Sequence, residues 1–71
     1  MRAKYVRDIS YSILRDAYPK KLSAGEIARR SGGFLTRKQV HYALREYARM
    51  SPVFSIFPDP ISGRITYSVY L

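Results

Sequence analysis

Cationic and hydrogen-bonding side chains recur at intervals of three and four residues in one stretch of the chain. The stretch contains Lys38, His41, Tyr42, Arg45 and Arg49. At about 100° per helical residue, these side chains fall within an arc of about 100° on one helix face. A solvated helix face ordinarily mixes both signs of charge, whereas this arc has only Glu46 at its margin. Such a face suits the binding of phosphate oxygens, so the pattern favours a nucleic-acid partner.

The overall composition supports the same interpretation. The 71 residues include 13 Lys or Arg against 5 Asp or Glu, a formal net charge of +8, together with 7 Tyr and 3 Phe. At 46% hydrophobic residues the chain is too apolar for a disordered basic tail, so its charge should lie on the surface of a folded domain. Such a basic surface indicates an anionic partner, and nucleic acid is favoured over charge that serves solubility alone.

The same counts exclude several classes of protein. Without Cys, disulfide bonds and thiolate metal sites are excluded, and the single His41 is a poor metal site by itself. The length predicts one domain, 1–71, with a thin core and no enclosed site for a cofactor or small-molecule ligand. Charges interrupt the apolar residues near the N-terminus, so we expect no signal peptide and no membrane span. We therefore expect a cytoplasmic, nucleoid-associated protein.

Catalysis is not expected, because the carboxylates are scattered and each has a local explanation. Asp8 with Lys4, and Asp16 with Lys20, have the i,i+4 spacing of helical ion pairs. The other carboxylates fall at a cap, on a helix surface and in a turn. No nucleophile–base pair and no paired carboxylates are evident, so we predict that the chain is not an enzyme.

The hydrophobic periodicity predicts a first helix over about residues 3–18. Its apolar face consists of Val6, Ile9, Ile13, Leu14 and Ala17. Tyr11 falls on the opposite, polar face, where it is free to contact DNA or a partner. Pro19 ends the helix, because proline disfavours helical angles in the residue before it.

A capping box predicts a second helix over about residues 23–31. The Ser23 hydroxyl is placed to accept from the third backbone N–H, and Glu26 to reach back to the cap. Gly32 and Gly33 end this helix, since glycine tolerates left-handed backbone angles.

A second capping box, formed by Thr36 and Gln39, predicts the third helix over about residues 36–50. Its apolar stripe consists of Val40, Ala43, Leu44 and Tyr47. The helix should end before Pro52.

After Pro52 the apolar period changes to two, which predicts a C-terminal β-hairpin with strands at about 53–57 and 64–70. Two prolines, an Asp and a Gly mark the turn between these strands. Tyr67 falls on the apolar face of the second strand and is a predicted core residue, as is Tyr47 of the third helix. Residues 20–22 are a candidate third strand.

Two stretches of this arrangement are similar to a known family. Residues 22–30 contain Ile27-Ala28 directly after an acidic residue, and residues 36–44 open the third helix with the Thr-Arg-Lys-Gln cap. With the order of three helices followed by a hairpin, they resemble the winged-helix DNA-binding domain of small prokaryotic and archaeal proteins; the Gly32-Gly33 pair departs from the single glycine or polar turn of many members. The resemblance implies an α+β winged helix-turn-helix, in which three helices precede a C-terminal hairpin wing.

The resemblance also implies a function, namely double-stranded DNA binding in transcriptional regulation. Helix 36–50 would enter the major groove, and the wing, residues 58–64, would lie on the backbone or in the minor groove. Arg37 and Lys38 would hold phosphate at the start of the helix, and Tyr42 and Arg45 would reach base edges. The remaining implied contacts, mostly to the DNA backbone, are His41, Arg49, Arg64, Lys20, Lys21, Arg29 and Arg30.

Two alternatives remain open at this point. A winged-helix protein–protein module in a larger nucleic-acid-processing assembly would show apolar anchors on the exposed face of the third helix. An RNA-binding module would ordinarily present aromatic residues on a sheet. We also expect a homodimer that reads two half-sites, with the outer face of the first helix or the strand near Tyr70 as its contact. From the length we also expect no ligand-sensing segment.

Overall fold

Six elements form in the computed structural model, which describes residues 3–51 and 53–69. In chain order they are α1 (Ala3–Ala17), β1 (Leu22–Ser23), α2 (Ala24–Arg30), α3 (Arg37–Met50), β2 (Phe54–Pro58) and β3 (Ile65–Val69). The fold is α+β, with three helices and a three-stranded antiparallel sheet in the order β1-β3-β2. The three predicted helices are confirmed. None of the described helices has the length and apolar character needed to cross a membrane.

The buried line of α1 is rotated from the predicted one. Val6, Ser10 and Leu14, at intervals of four residues, are buried, whereas Ile9 and Ile13 are only partly covered. Ser10 is small, so it lets α1 approach its neighbours more closely than an isoleucine at the same position would. The periodicity therefore located the helix correctly but misplaced the centre of its buried face.

The prediction that Tyr11 lies on a solvent face is wrong. Its ring is half-buried and meets the ring of Phe54 edge-on, with centroids 6.1 Å apart and planes at 85°. The guanidinium of Arg15 lies 6.0 Å from the centroid of the Tyr11 ring. An aromatic ring gains more from such contacts than from exposure to water, so Tyr11 joins the core margin.

The predicted ion pair between Asp8 and Lys4 is wrong. Asp8 Oδ1 instead accepts from Arg7 Nε at 3.2 Å. The guanidinium of Arg7 lies over the ring of Tyr47, 5.4 Å from its centroid, and this contact holds Arg7 beside the carboxylate.

The predicted pair between Asp16 and Lys20 is also wrong. Because α1 ends at Ala17, Lys20 does not lie one helical turn above Asp16. Asp16 Oδ1 lies 3.8 Å from Arg15 Nε. Two of the five carboxylates are thus paired within α1.

Ser23 joins the sheet to α2. Its hydroxyl accepts from the Glu26 backbone N–H at 3.2 Å, as the capping box predicts. The reciprocal bond from Glu26 is absent among the described residues, since Ser23 also belongs to β1 and pairs there with Thr66. The start of α2 is therefore fixed directly against β3.

The turn between α2 and α3 depends on a buried serine. Ser31 Oγ donates to Ala28 O at 2.6 Å and accepts from Leu35 N at 3.0 Å, so one hydroxyl connects the last turn of α2 to the chain that enters α3. Gly32 and Gly33 have φ of 69° and 95°, the left-handed region that the sequence predicted for them. Other side chains would be strained in these conformations.

The complete capping box at α3 is confirmed. Thr36 Oγ1 accepts from Gln39 N at 3.1 Å, and Gln39 Oε1 accepts from Thr36 N at 2.9 Å. Val40 and Leu44 are fully buried and Tyr47 is half-buried, so the apolar stripe of α3 faces the core as predicted.

The sheet differs from the prediction mainly at strand ends. A third strand does form, but over Leu22–Ser23, so Lys20 and Lys21 precede it. In the hairpin each strand begins one residue later than predicted, and β2 also ends one residue later; Arg64 therefore lies in the turn. Tyr70 lies outside the described residues.

The central strand β3 contributes the largest buried side chain of the core. Tyr67 is fully buried and lies opposite Leu22 on one side and Ile56 on the other. Among the described residues, the buried apolar side chains are Val6, Leu14, Leu22, Ala24, Ile27, Leu35, Val40, Leu44, Phe54, Tyr67 and Val69. Every helix and every strand contributes to it, which fixes the angles between elements.

We predict that Ser31→Ala lowers the free energy of unfolding by about 1–2 kcal/mol, because it removes two hydrogen bonds and leaves the buried Leu35 N–H without its partner. Chemical denaturation followed by circular dichroism measures the change.

Ser12→Ala on α1 is the matched control, since the Ser12 hydroxyl makes no hydrogen bond to the described residues. It should be neutral or slightly stabilising, because alanine is the better helix former. Equal effects of the two substitutions would contradict the role assigned to Ser31.

Candidate nucleic-acid interface

The face of α3 opposite the core carries four exposed side chains, which we call the α3 arc. They are Lys38, Tyr42, Arg45 and Arg49. The burial of Val40 and Leu44 determines that these side chains point outward. The α3 arc therefore presents three cations and one phenol together, as the sequence predicted.

His41 lies at the edge of the α3 arc and is only half-exposed. Its ring meets that of Tyr42 edge-on, with centroids 5.6 Å apart and planes at 71°. Tyr42 is 62% exposed, so its ring is open to solvent while that of His41 is partly covered. This contact restricts the orientation of Tyr42 on the surface.

Arg37 connects the start of α3 to the start of α2. Its Cδ lies 3.8 Å from the position that a Cβ would take on Gly25, while the residue as a whole remains exposed. The aliphatic stem of Arg37 thus runs along the first turn of α2, and its guanidinium adds to the charge at the start of α3.

The cations of the predicted site form few ion pairs, in contrast to the arginines of α1. Of the nine cations in the predicted site, only Arg49 forms an ion pair among the described residues, with Nη1 3.6 Å from Glu46 Oε1. Both side chains are exposed, and such a pair contributes at most about 1 kcal/mol. Glu46 therefore competes only weakly for Arg49. The other two ion pairs of the described residues both lie on α1.

The charge of Arg45 acts on the phenol of Tyr67 in β3. Burial raises the pKa of the Tyr67 phenol, and the positive charge of Arg45 partly opposes that rise. The phenol of Tyr67 is therefore neutral at ordinary pH, and it forms no hydrogen bond to the described residues.

The β2–β3 hairpin ends in a tightly bonded loop, which we call the hairpin turn, residues 59–64. Asp59 N donates to Arg64 O at 2.7 Å, and Gly63 N donates to Asp59 O at 2.9 Å. Gly63 has a φ of 72°, which explains the glycine at this position. Arg64 follows with its side chain exposed.

The carboxylate of Asp59 is committed to the hairpin turn. Its Oδ1 accepts from Ile61 N at 2.9 Å and from Ser62 N at 3.5 Å. The bond from the Ile61 N–H, followed by bonds to the hydroxyl and N–H of Ser62, holds the pKa of Asp59 below its usual value. The carboxylate therefore stays ionised, and its acceptor atom Oδ1 is occupied by backbone donors of the turn.

The remaining predicted cations divide into two pairs. Lys20 and Lys21 precede β1, and Lys21 Nζ lies 4.2 Å from the centroid of the Phe57 ring, which places it across the hairpin. Arg29 and Arg30 are exposed in the last turn of α2, where cations also suit the helix dipole. No hydrogen bond, ion pair or ring contact among the described residues connects this second pair with the α3 arc.

Sequence reasoning missed an apolar groove between α1 and α3. It has a volume of about 570 Å³, and its apolar lining includes Val6, Ala43, Tyr47 and Met50. Met50 is 75% exposed. The signal was present, because Met50 follows Ala43 and Tyr47 at intervals of seven and three residues and extends the apolar stripe.

Ile61 is a further surface feature that the sequence analysis did not predict. Its side chain is 95% exposed in the hairpin turn. An isoleucine among proline, aspartate, serine and glycine does not fit the usual composition of a turn, and that misfit was the available signal.

The described residues contain no cluster of three or more His, Asp or Glu side chains that is able to hold a metal ion. Comparisons with protein-family models, curated proteins and solved structures find no match to this chain.

We predict that the Asp59 carboxylate titrates at lower pH in the folded chain than in the urea-unfolded chain, because backbone donors favour its ionised form. The lowered pKa means that the turn is stabilised above the unfolded-state value and loses this contribution as pH falls through the folded-state value. Carbon-detected NMR of the side-chain carboxyl measures both midpoints. A folded-state midpoint at or above the unfolded one would contradict the bonding assigned to Asp59.

Proposed function

We propose that this chain is a winged-helix protein that binds double-stranded DNA and acts as a transcriptional regulator. One observation carries the proposal: eight of the nine cations in the predicted site form no ion pair among the described residues. Two of the carboxylates are paired on α1, and Asp59 is bonded to the backbone. A folded domain that leaves this much positive charge unpaired favours a polyanionic partner.

The arrangement of elements supports a winged helix. In this reading α2, the Gly32-Gly33 turn and α3 form a helix-turn-helix, and β2 with β3 forms the wing. Strand β1 lies between α1 and α2 and pairs with β3. The two capped starts and the Ser31 hydroxyl then determine how α3 projects from the domain.

We assign α3 to the major groove, which is about 12 Å wide and admits one helix. Arg45 is the best candidate for a base contact, because it lies in the middle of the α3 arc, and arginine binds guanine O6 and N7 with two donors. Tyr42 adds a hydroxyl and an apolar edge beside it. Lys38 and Arg49 lie on the same arc and are assigned to phosphates.

The wing is assigned to the adjacent backbone or minor groove. Arg64 is exposed at the end of the hairpin turn, and the Asp59 carboxylate of that turn bonds to backbone N–H groups and forms no ion pair with Arg64. Lys21 lies across the same hairpin, so together with Lys20 it extends the positive surface along the DNA. Arg37 supplies charge between α2 and α3, and we keep Arg29 and Arg30 as flanking phosphate contacts.

The proposal includes a cytoplasmic, nucleoid-associated location and a homodimer that binds two half-sites. Small DNA-binding domains gain both affinity and specificity from pairing, because two linked half-sites bind as one unit. Light scattering in the presence and absence of duplex DNA would measure the stoichiometry.

The apolar groove favours a second candidate function, that of a protein-binding module. Tyr42 and Met50 are exposed on or beside the α3 arc, and apolar anchors of this kind are what such a module would present. The groove would bind an apolar surface, whereas the cations would bind an anionic one. The effect of salt on binding therefore distinguishes the two candidates.

We predict that the logarithm of duplex affinity falls steeply with the logarithm of salt concentration, with a slope of about −0.9 for each phosphate contacted. Arg49→Ala and Arg64→Ala should each reduce the magnitude of the slope by about 1 and weaken binding by about tenfold on every sequence. Both side chains are exposed, so neither substitution should unfold the chain. Fluorescence anisotropy with several duplexes measures these quantities.

Arg45→Ala should instead reduce the difference in affinity between preferred and other duplexes, because its assigned contact is to a base. Arg15→Ala is the matched control: Arg15 is an exposed arginine on α1, near Asp16, and its loss should have little effect on slope or affinity. A flat salt dependence would contradict DNA binding and favour the protein-binding module. Equal losses for Arg15→Ala and Arg45→Ala would contradict the placement of the interface.

A further inference from the structure

The most exposed large apolar side chain of the described residues lies at the tip of the hairpin. Ile61 is 95% exposed, whereas Ile27 in the core is fully buried. A single exposed apolar residue on a flexible loop would need no explanation. Ile61 differs because the loop that carries it is held in one shape.

Five hydrogen bonds within six residues fix the hairpin turn. Two join the backbones of Asp59, Gly63 and Arg64, and two more place the Asp59 carboxylate on the N–H groups of Ile61 and Ser62. The fifth runs from Arg64 N to Ser62 Oγ at 3.2 Å. Pro60, directly before Ile61, adds a fixed φ. The isoleucine is thus presented on a rigid support, which lowers the entropy lost when it is inserted into a partner.

The charges around Ile61 indicate the kind of partner. Arg64 is exposed at the end of the same turn, and Lys21 lies over Phe57, one residue before the end of β2. The one carboxylate of the turn, Asp59, is ionised and bonded to the backbone N–H groups of Ile61 and Ser62, and the two cations outnumber it. An apolar tip flanked by cations fits a partner that has a polyanionic surface and an apolar interior reached through a narrow opening.

We infer that Ile61 is a wedge that inserts between base pairs from the minor groove and bends the DNA. This inference rests on the proposed DNA binding and adds a specific contact to it. Apolar side chains inserted at a base step unstack it and kink the duplex by about 20–90° toward the major groove. Arg64 then holds the adjacent backbone, and the kink turns the duplex around the domain.

A lipid bilayer is a less suitable partner for this tip. Insertion into a membrane interface requires an extended apolar face, usually along a helix. Here Ile61 is flanked by Asp59, Ser62 and Gly63, so only one large apolar side chain is presented. A base step accepts a single wedge of this size.

The test measures DNA bending by energy transfer between dyes at the two ends of a short duplex, at saturating protein. Wild type should raise the transfer efficiency. Ile61→Ser should leave it near the value of the free duplex, while the affinity falls by no more than about tenfold and the salt slope is unchanged, since no phosphate contact is lost. Ile61→Leu should restore bending, because it restores an apolar wedge.

Arg64→Ala is the control within the same turn. It should lower the affinity and the magnitude of the salt slope but preserve the bend at saturation. Because Ile61 is almost wholly exposed, Ile61→Ser should leave the folded chain intact, and circular dichroism checks this.

Two sets of outcomes separate the failure of this inference from the failure of the proposed function. If wild type binds without bending, or Ile61→Ser bends DNA as wild type does, the wedge is wrong and DNA binding stands. If Ile61→Ser retains bending but loses binding to vesicles of anionic lipid, the tip serves a membrane and the wedge is again wrong. If wild type binds no duplex, both proposals fail together.

Discussion

Strand β3 is the constraint on which the rest of the structure depends. It pairs with β1, which leads into α2, and with β2, which follows α3. Tyr67 at its centre is fully buried, opposite Leu22 on one side and Ile56 on the other. The last strand of the chain thereby ties the start of the α2–α3 unit to the hairpin. In a domain of this size only about 60% of the chain surface is buried on folding, so few other contacts are able to replace this one.

The surface chemistry follows from that scaffold. The caps at Ser23 and Thr36 determine where α2 and α3 begin, and the Ser31 hydroxyl connects them. The buried stripe of α3 packs against α1, α2 and β2, so the cations on its opposite face point outward. Of the five carboxylates, Asp8 and Asp16 pair with arginines of α1, and Asp59 bonds to backbone donors of the hairpin turn. The unpaired positive charge is therefore confined largely to the elements that β3 holds together.

The sequence predicted the parts of the fold that depend on local patterns. Caps, glycine turns and the change of period located every helix and both hairpin strands to within one residue at most ends. It failed where neighbours in space decide the outcome. Ser10 is buried and Tyr11 is drawn to Phe54 because of packing that no periodicity contains. Arg7 leaves Lys4 without its expected partner because of a contact with Tyr47, which is distant in sequence.

The candidate site likewise has parts that local patterns predict and parts that depend on tertiary packing. The α3 arc could be predicted from spacing alone, because a helical wheel needs no tertiary information. The apolar groove needs α1 and α3 together, and the exposure of Ile61 needs the bonded shape of the turn. Arg29 and Arg30 were grouped with the site by charge, yet no described contact joins them to it. Composition indicated an anionic partner, whereas only the fold assigns cations to particular surfaces.

The most direct test of the central claim is an NMR titration of the isotope-labelled chain with duplex DNA, following every backbone amide. If DNA binds through the α3 arc and the hairpin turn, the largest shifts should occur in α3 around Lys38 to Arg49 and in the hairpin turn. Changes along α1, at Asp8 and Asp16, should be small. Shifts centred on α1, or none at duplex concentrations above that of the protein, would contradict the account.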